Sequence, residues 1–221
     1  MVARPLRNLQ ALPLETAVRA GSVVVHQGEP CPPMRVVTHG AFVVEVLRHD
    51  GRRLVLDVLG PGDALGGPGD GSSGDGVSID GSSGDGDGRV AQATVRALRP
   101  GRLRELTPGE AVPLLIRRAE RAARLAADLA WFDVPTRLLA RLHVLAARFG
   151  HAVPGGVSIG LRLTHEDLAD LCGTTRESIT RAMRTLVDQD RVEVPRRGRI
   201  VVRHRLSAVP SWSRIRLHEP Q

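Results

Sequence analysis

Short runs of β-branched and apolar residues, separated by polar turns, dominate the first half of the chain. Between residues 22 and 60 these runs include SVVVH, MRVVTHGAFVVEVL and RLVLDVL, and strand signals resume in RVAQATVRAL at 89–98. Asp50-Gly51 stands between two of the runs, where this dipeptide predicts a tight β-hairpin. Short strands at such spacing predict a small β-barrel or sandwich.

Beyond Pro108 the hydrophobic period changes to that of helices. AVPLLIRRAERAARLAADLAWFD predicts a long helix at 109–133, with apolar residues spaced 4-3-4-3 over about two heptads. The small side chains suit a close contact between two copies of the helix, and packing against the rest of its own chain is the alternative. The candidate dimer-interface residues are Leu115, Ala119, Ala122, Ala126 and Leu129.

Two short helices joined by a glycine-containing turn are predicted further along. A helix through TRLLARLHVLAARFG and a linker at 151–156, HAVPGG, lead into this region. Thr164 precedes the first short helix and Thr175 the second, each where a hydroxyl caps a helix N-terminus. The turn between them contains Gly173. This arrangement predicts a helix-turn-helix, and VEVPRRGRIVVR after it predicts the hairpin of a winged form.

Side chains on the polar face of the second short helix suit contacts with DNA. Arginine can donate both arms of its guanidinium to guanine, and glutamate can accept from cytosine N4, in the major groove. A solvated charged surface is the alternative for any one of them. The candidate base-reading residues are Arg176, Glu177, Thr180 and Arg181. The candidate phosphate contacts, which position the protein without reading sequence, are Thr164, His165, Thr175, Ser178, Arg196 and Arg197.

Composition narrows the classes of function. The 221 residues include 31 basic residues, all of them arginine, for a formal charge of +7, which favours an anionic partner. The two cysteines exclude a disulfide framework and a four-cysteine iron–sulfur cluster. No nucleophile, nucleotide-binding or metal-ligand motif indicates an enzyme. No apolar run reaches about 18 residues and no signal peptide is evident, so we expect a cytoplasmic protein without a membrane partner.

Residues 68–88 form a low-complexity insert, in which the heptamer DGSSGDG occurs at 70–76 and again at 80–86. Gly, Ser and Asp cannot build a hydrophobic core, so the segment is predicted to be a flexible loop. Its aspartates follow no EF-hand spacing, and we assign no metal site to it.

A resemblance to a known family covers residues 12–205. The segment LTHEDLADLCGTTRESITRAMRTLVDQDRVEV is similar to the DNA-binding motif of the Crp/Fnr family of bacterial transcription regulators. SVVVHQGEP, THG and GPGDALGG are similar in order and spacing to that family's cyclic-nucleotide-binding β-roll. The resemblance implies an α+β fold with an effector-type β-roll, a long dimerisation helix and a C-terminal winged helix-turn-helix. The corresponding boundaries are 1–108, 109–133 and 134–221.

The same resemblance implies partners. A homodimer would bind a two-fold site on double-stranded DNA, with Arg176, Glu177 and Arg181 as the base readers. The segment Pro154–Leu161 corresponds to a loop where activators of the family meet RNA polymerase, which makes the polymerase a candidate partner. Nothing in its sequence, PGGVSIGL, separates an activator from a repressor.

The effector side departs from the family pattern. Where members that bind cyclic AMP carry Gly-Glu, this chain has Gly66-Gly67, and where they carry Arg-Ser it has Arg89-Val90. These four positions form the candidate effector pocket. Losing two polar contacts to a buried ligand costs roughly 1–3 kcal/mol each, so we expect cyclic AMP to bind weakly or not at all. We assign no cofactor, and any other effector is unidentified.

Two alternatives stay open at this point. One is a cyclic-nucleotide-responsive regulator whose phosphate site has been rebuilt around the insert. The other is a ligand-binding or partner-binding module whose helix-turn-helix does not read DNA.

Overall fold

The β-branched runs of the N-terminal half form an antiparallel sheet. The computed structural model describes residues 15–66, 90–195 and 199–203. The strands of this sheet are β1 (Glu15–Val18), β2 (Val23–Val25), β3 (Arg35–Leu47), β4 (Arg53–Leu59), β5 (Ala64–Leu65) and β6 (Thr94–Glu105). Their order is β1-β6-β3-β4, with β2 paired to β6 and β5 paired to β3. As predicted, β3 and β4 form a hairpin around Asp50-Gly51, in which Leu47 lies opposite Arg53.

Alternate residues of β3 face two different parts of the molecule. Phe42 and Val44 pack inside the sheet together with Leu103, and Phe42 is completely shielded from solvent. Ala41 and Val43 point to the other face and pack against the helical half of the chain. A pleated strand presents successive side chains to opposite faces. The strand β3 therefore joins the interior of the sheet to the core of the helical half.

The helices begin at polar caps. They are α1 (Pro108–Trp131), α2 (Val134–Phe149), α3 (His165–Cys172) and α4 (Arg176–Asp188). The helix α1 differs by one or two residues at each end from the predicted 109–133. At its start the Glu110 carboxylate pairs with Arg104 and accepts hydrogen bonds from the N–H and hydroxyl of Thr107. These contacts, with Arg104 the largest, lower the pKa of Glu110 to about 2. The helix α2 begins at Asp133, whose carboxylate accepts from a backbone N–H.

The segment predicted as a linker at 151–156 is instead a β-hairpin. It belongs to a second sheet, whose strands are β7 (Gly150–Val153), β8 (Gly156–Ile159), β9 (Val192–Glu193) and β10 (Val201–Arg203). In the described residues their order is β7-β8-β10-β9, and β9 with β10 forms the predicted wing hairpin. Pro154 and Gly155 make a tight turn between two strands. Proline and glycine are typical of tight turns as well as of linkers, so their presence alone does not separate the two. Half of the segment Pro154–Leu161 is accordingly strand rather than loop, with Ile159 buried.

Candidate nucleic-acid interface

A glycine in the left-handed conformation joins α3 to α4. Gly173 has φ +58° and ψ +46°, and its N–H donates to carbonyls at the end of α3. A Cβ at this position would lie 3.2 Å from Leu129 Cδ2 and 3.3 Å from Leu54 Cδ1. The backbone conformation and the close packing both favour glycine in this turn. The two helices therefore have the connection that a helix-turn-helix requires.

Thr164 caps α3 as predicted, and its backbone N–H and its hydroxyl are both engaged in the cap. Its Oγ1 accepts from the N–H of Asp167 at 3.1 Å. The Asp167 carboxylate in turn accepts from the N–H of Thr164 at 2.8 Å and from its hydroxyl at 2.7 Å. A threonine has one hydroxyl proton, so Thr164 has none left for a phosphate oxygen. A contact of Thr164 with phosphate would require this hydroxyl to turn away from Asp167, and it stays a prediction.

Thr175 and Ser178 form the cap of α4. Thr175 Oγ1 accepts from the N–H of Ser178 and donates its proton to Ser178 Oγ, each at 3.2 Å. Arg181 also donates to Ser178 Oγ, at 3.4 Å. Both hydroxyls therefore take part in the cap, and contacts of Thr175 and Ser178 with phosphate stay predictions.

The candidate base-reading side chains lie together on one surface. Arg176, Glu177, Thr180 and Arg181 are all exposed and line a shallow concavity of about 300 Å³ on α4. The opposite face of the helix is buried, and Ile179 is completely shielded. The pKa of Glu177 is lowered, chiefly because its own backbone N–H donates to the carboxylate and next because the Thr175 side chain hydrogen-bonds to it, with Arg176 and Arg181 adding favourable charge. We call these four residues the reader surface.

His165 lies against the reader surface rather than apart from it. Its Nδ1 is 3.0 Å from Oγ1 of Thr180, and Thr180 Oγ1 donates to the carbonyl oxygen of Arg176 at 2.9 Å. The sequence alone predicts a phosphate contact for His165 and no link to Thr180, because nothing local signals a contact between the two helices. The wing residues predicted to touch phosphate, Arg196 and Arg197, lie outside the described residues.

Comparison with known proteins places both halves of the chain in a family. The profile of Crp-like helix-turn-helix domains matches residues 136–208, and that of cyclic nucleotide-binding domains matches residues 15–69. A CRP-like cAMP-activated global transcriptional regulator of Mycobacterium tuberculosis is 31% identical over 168 residues, covering 74% of this chain and 72% of the relative. The chain belongs to the Crp/Fnr family of transcription regulators. Members of this family are regulators rather than enzymes, and the helix-turn-helix is the DNA-binding domain of this one.

Solved structures share the fold of this Crp/Fnr regulator. A transcriptional regulator of the CRP/FNR family from Thermus thermophilus superposes with a TM-score of 0.70 at 22% identity, covering 86% of this chain and 94% of that chain. A c-di-GMP responsive global regulator from Xanthomonas campestris superposes with a TM-score of 0.66 at 21% identity, covering 87% of this chain and 95% of that chain. The predicted α+β fold, with an N-terminal β-roll and a C-terminal helix-turn-helix, is confirmed.

An ion cluster that the sequence analysis missed attaches the DNA-binding domain to the β-roll. Arg53 on β4 donates to the Asp170 carboxylate on α3, with Nη2 at 2.5 Å and Nε at 2.7 Å from Oδ2. Its Nη1 lies 3.3 Å from Glu45, which is only 8% exposed and also pairs with Arg96 at 3.2 Å. We call Glu45, Arg53, Arg96 and Asp170 the docking cluster.

A second set of ion pairs ties the β-roll to both long helices. The carboxylate of Asp57 on β4 accepts from Arg121 on α1 at 2.7 Å and from Arg148 on α2 at 3.2 Å. Asp63 pairs with the same two arginines, at 2.9 Å with Arg121. Both clusters connect residues distant in the chain. They set the position of the DNA-binding domain on the β-roll in this Crp/Fnr regulator.

We expect Arg53→Ala to lower the free energy of unfolding by about 2 kcal/mol, because it leaves the half-buried Asp170 carboxylate without its cationic partner. Urea denaturation at a fixed protein concentration would measure the loss. The matched control is Arg52→Ala, since the neighbouring Arg52 side chain is 84% exposed and pairs with Asp50 only at 3.8 Å. The control should lose less than about 0.5 kcal/mol. Equal losses in the two variants would contradict a specific role for the docking cluster.

The face of α1 that the described chain leaves open overlaps the predicted one in part. Leu115 and Leu129 are partly buried against their own chain, although Ala119, Ala122 and Ala126 are exposed. A series of exposed apolar residues is again spaced by fours and threes, and Val112 and Ile116 in it are 58% and 56% exposed. Its members, which we call the exposed seam, are Val112, Ile116, Ala119, Ala123, Ala126 and Ala130.

Two of the four candidate effector positions are described. Gly66 is buried with φ +77°, and a Cβ there would lie 2.8 Å from the carbonyl oxygen of Pro33, so its backbone conformation and packing explain the glycine. Val90 is 40% exposed and forms a β-bridge with Pro30. Gly67 and Arg89 lie outside the described residues, as does the DGSSGDG insert.

Three further features of this Crp/Fnr regulator concern membrane crossing, metal binding and its buried thiol. Among the described residues, no helix combines the length and apolar character that a membrane crossing requires. Within residues 15–66, 90–195 and 199–203, no group of three His, Cys, Asp or Glu side chains is placed to hold a metal ion. Cys172 is buried in α3, and burial raises the pKa of its thiol to about 11.

Proposed function

We propose that this Crp/Fnr regulator binds a two-fold DNA site as a homodimer, reads G·C pairs through α4, and responds to cyclic AMP weakly or not at all. One observation carries the DNA part of the proposal. Arg176, Glu177 and Arg181 stand together on the exposed face of a capped helix whose other face is buried. Guanidinium and carboxylate groups complement the major-groove edges of guanine and cytosine. The formal charge of +7 adds a general attraction to phosphate.

The exposed seam of α1 supports the homodimer. Small alanines along it allow two helices to approach closely, and Val112 and Ile116 supply apolar area at one end. A two-fold dimer presents its recognition helices about 34 Å apart, one turn of B-DNA, and so selects a palindromic site. RNA polymerase is a further proposed partner. The β7–β8 turn, Pro154 and Gly155, is exposed on the DNA-binding domain and so is accessible to a protein beside the operator.

The proposed weakness of the cyclic AMP response rests on two residues of this chain and sets it apart from relatives that respond to cyclic nucleotides. The Mycobacterium tuberculosis relative is described as cAMP-activated, and the Xanthomonas campestris protein as responsive to c-di-GMP. In this chain Gly67 offers no carboxylate for a ribose hydroxyl, and Val90 offers no hydroxyl for a phosphate. A nucleotide would therefore have fewer polar partners than the family pattern provides.

Selection of binding sites from a random duplex pool, with and without cyclic AMP, tests the proposal. We expect the same palindrome, containing G·C pairs in each half-site, from both arms. A palindrome recovered only with the nucleotide would establish the cyclic-nucleotide-responsive alternative and refute the effector part. Failure to recover any site in either arm would contradict the DNA part and favour a module that does not read DNA. The dimer part is tested separately by mutation of the exposed seam.

A further inference from the structure

The hydroxyl of Thr180 is engaged inside the protein, although Thr180 lies in the middle of the reader surface. Its proton is donated to the carbonyl oxygen of Arg176, one turn earlier in α4, at 2.9 Å. Its oxygen lies 3.0 Å from Nδ1 of His165 on α3. A threonine hydroxyl has one proton and two lone pairs. With that proton on the carbonyl oxygen of Arg176, the contact is completed by the tautomer of His165 that carries its proton on Nδ1 and donates it to Oγ1 of Thr180.

These two bonds decide which part of Thr180 faces a ligand. The bond to the carbonyl four residues earlier is the local interaction by which threonine commonly satisfies its hydroxyl within a helix. Together with His165 it holds Oγ1 toward the two helices. Thr180 is nevertheless exposed and lines the concavity with Arg176, Glu177 and Arg181. The Cγ2 methyl is therefore the group that Thr180 offers to DNA.

We propose that Thr180 is a specificity-determining residue that contacts the C5 methyl group of a thymine through Cγ2, and that His165 is the positioning residue that holds it there. The thymine methyl is unique to the major-groove edge of that base and is recognised by apolar contact. The inference deepens the proposed function and rests on it, since it requires α4 to lie in the major groove. It adds one T·A pair to the G·C pairs that the charged side chains read.

Replacing single thymines by uracil in the selected operator removes only the C5 methyl and keeps the base pair. We expect uracil to weaken binding at one thymine position, which occurs once in each half-site. Burying one methyl-sized group corresponds to about a fourfold change in affinity per half-site, and about fifteenfold when both half-sites are changed. The other thymine positions should change little, and they serve as internal controls measured on the same protein.

Two variants separate the methyl from the hydroxyl. Thr180→Ser keeps the hydroxyl and its bonds but lacks the methyl, so it should bind the thymine and uracil operators equally. Thr180→Val keeps a methyl but loses the bonds to His165 and Arg176 that orient it, so it should prefer thymine less strongly than the unaltered protein does. Affinity for unrelated duplex DNA should be the same in all three proteins, which shows that the domain is folded.

Several outcomes would overturn the inference while leaving the proposed function intact. The first is that the unaltered protein binds the thymine and uracil operators with equal affinity at every position. A selected site with no invariant thymine is another, and a Thr180→Ser protein that still discriminates is a third. If no sequence-specific operator exists at all, the proposed function itself fails, and the inference fails with it.

Discussion

Ala123→Glu should convert the regulator from a dimer to a monomer at micromolar concentration and abolish tight binding to a palindromic site. Ala123 lies in the middle of the exposed seam, between Ala119 and Ala126. In a two-fold contact between α1 helices, the substitution would place two glutamates close to the axis, where they repel each other and lose their hydration without a cation to compensate. A monomer holds one half-site only, and the loss of linkage lowers affinity by about 10²–10⁴-fold.

Sedimentation equilibrium would give the oligomeric state, and a fluorescence titration with the selected operator would give the affinity. The matched control is Ala147→Glu, the same substitution at an exposed alanine on α2, away from the seam. It should remain dimeric and bind normally. A dimeric Ala123→Glu protein would show that the exposed seam is not the dimer interface, and an unaltered protein that is monomeric would refute the homodimer directly.

Arg181→Ala should lower affinity for the selected operator while changing affinity for unrelated DNA only slightly. Arg181 is exposed on the reader surface, where its described side-chain bond is the long one to Ser178 at 3.4 Å, so its guanidinium can turn to a base. Loss of one bidentate contact to guanine costs about 1–3 kcal/mol per half-site. Loss of this contact in both half-sites corresponds to roughly a 30- to 20,000-fold loss of affinity. A repeat of the selection with the variant should also show relaxed preference at one base pair in each half-site.

The matched control for charge is Arg19→Ala, which removes the same charge from an exposed arginine in the turn between β1 and β2. Its operator affinity should stay within about twofold of the unaltered protein, since a charge remote from the contact contributes only a screened attraction. If Arg181→Ala weakened specific and non-specific binding by the same factor, Arg181 would be a phosphate contact. If it changed neither, Arg181 would not touch the operator.

Features that depend on residues close in the chain could be predicted from the sequence. The cap of α3 is an interaction between Thr164 and Asp167, three residues apart, and the β3–β4 hairpin depends on Asp50-Gly51. The side chains of the reader surface also lie within two turns of one helix. Local spacing specifies each of these, because helix and turn geometry place such neighbours together whatever surrounds them.

Other features had no local signal. Pro154-Gly155 is equally typical of a linker and of a tight turn, and only the pairing of β7 with β8 makes the segment a hairpin. The open face of α1 was predicted only in part, since Ala119 and Ala126 belong both to the predicted interface and to the exposed seam, whereas Leu115 and Leu129 are partly buried. Apolar spacing shows that a helix has an apolar side, but the packing of Leu125 and Asp128 against the chain decides which side stays exposed.

The contacts that bear most on specificity and on domain position were decided by the tertiary structure. Arg53 and Asp170 are 117 residues apart and meet because β4 packs on α3. His165 reaches Thr180 because the Gly173 turn sets the angle between α3 and α4. Sequence patterning specified the elements and the chemistry carried on each, since both follow from short-range geometry. Which of those groups are engaged and which stay free for DNA depends on side chains from distant segments, and only the folded chain brings these together.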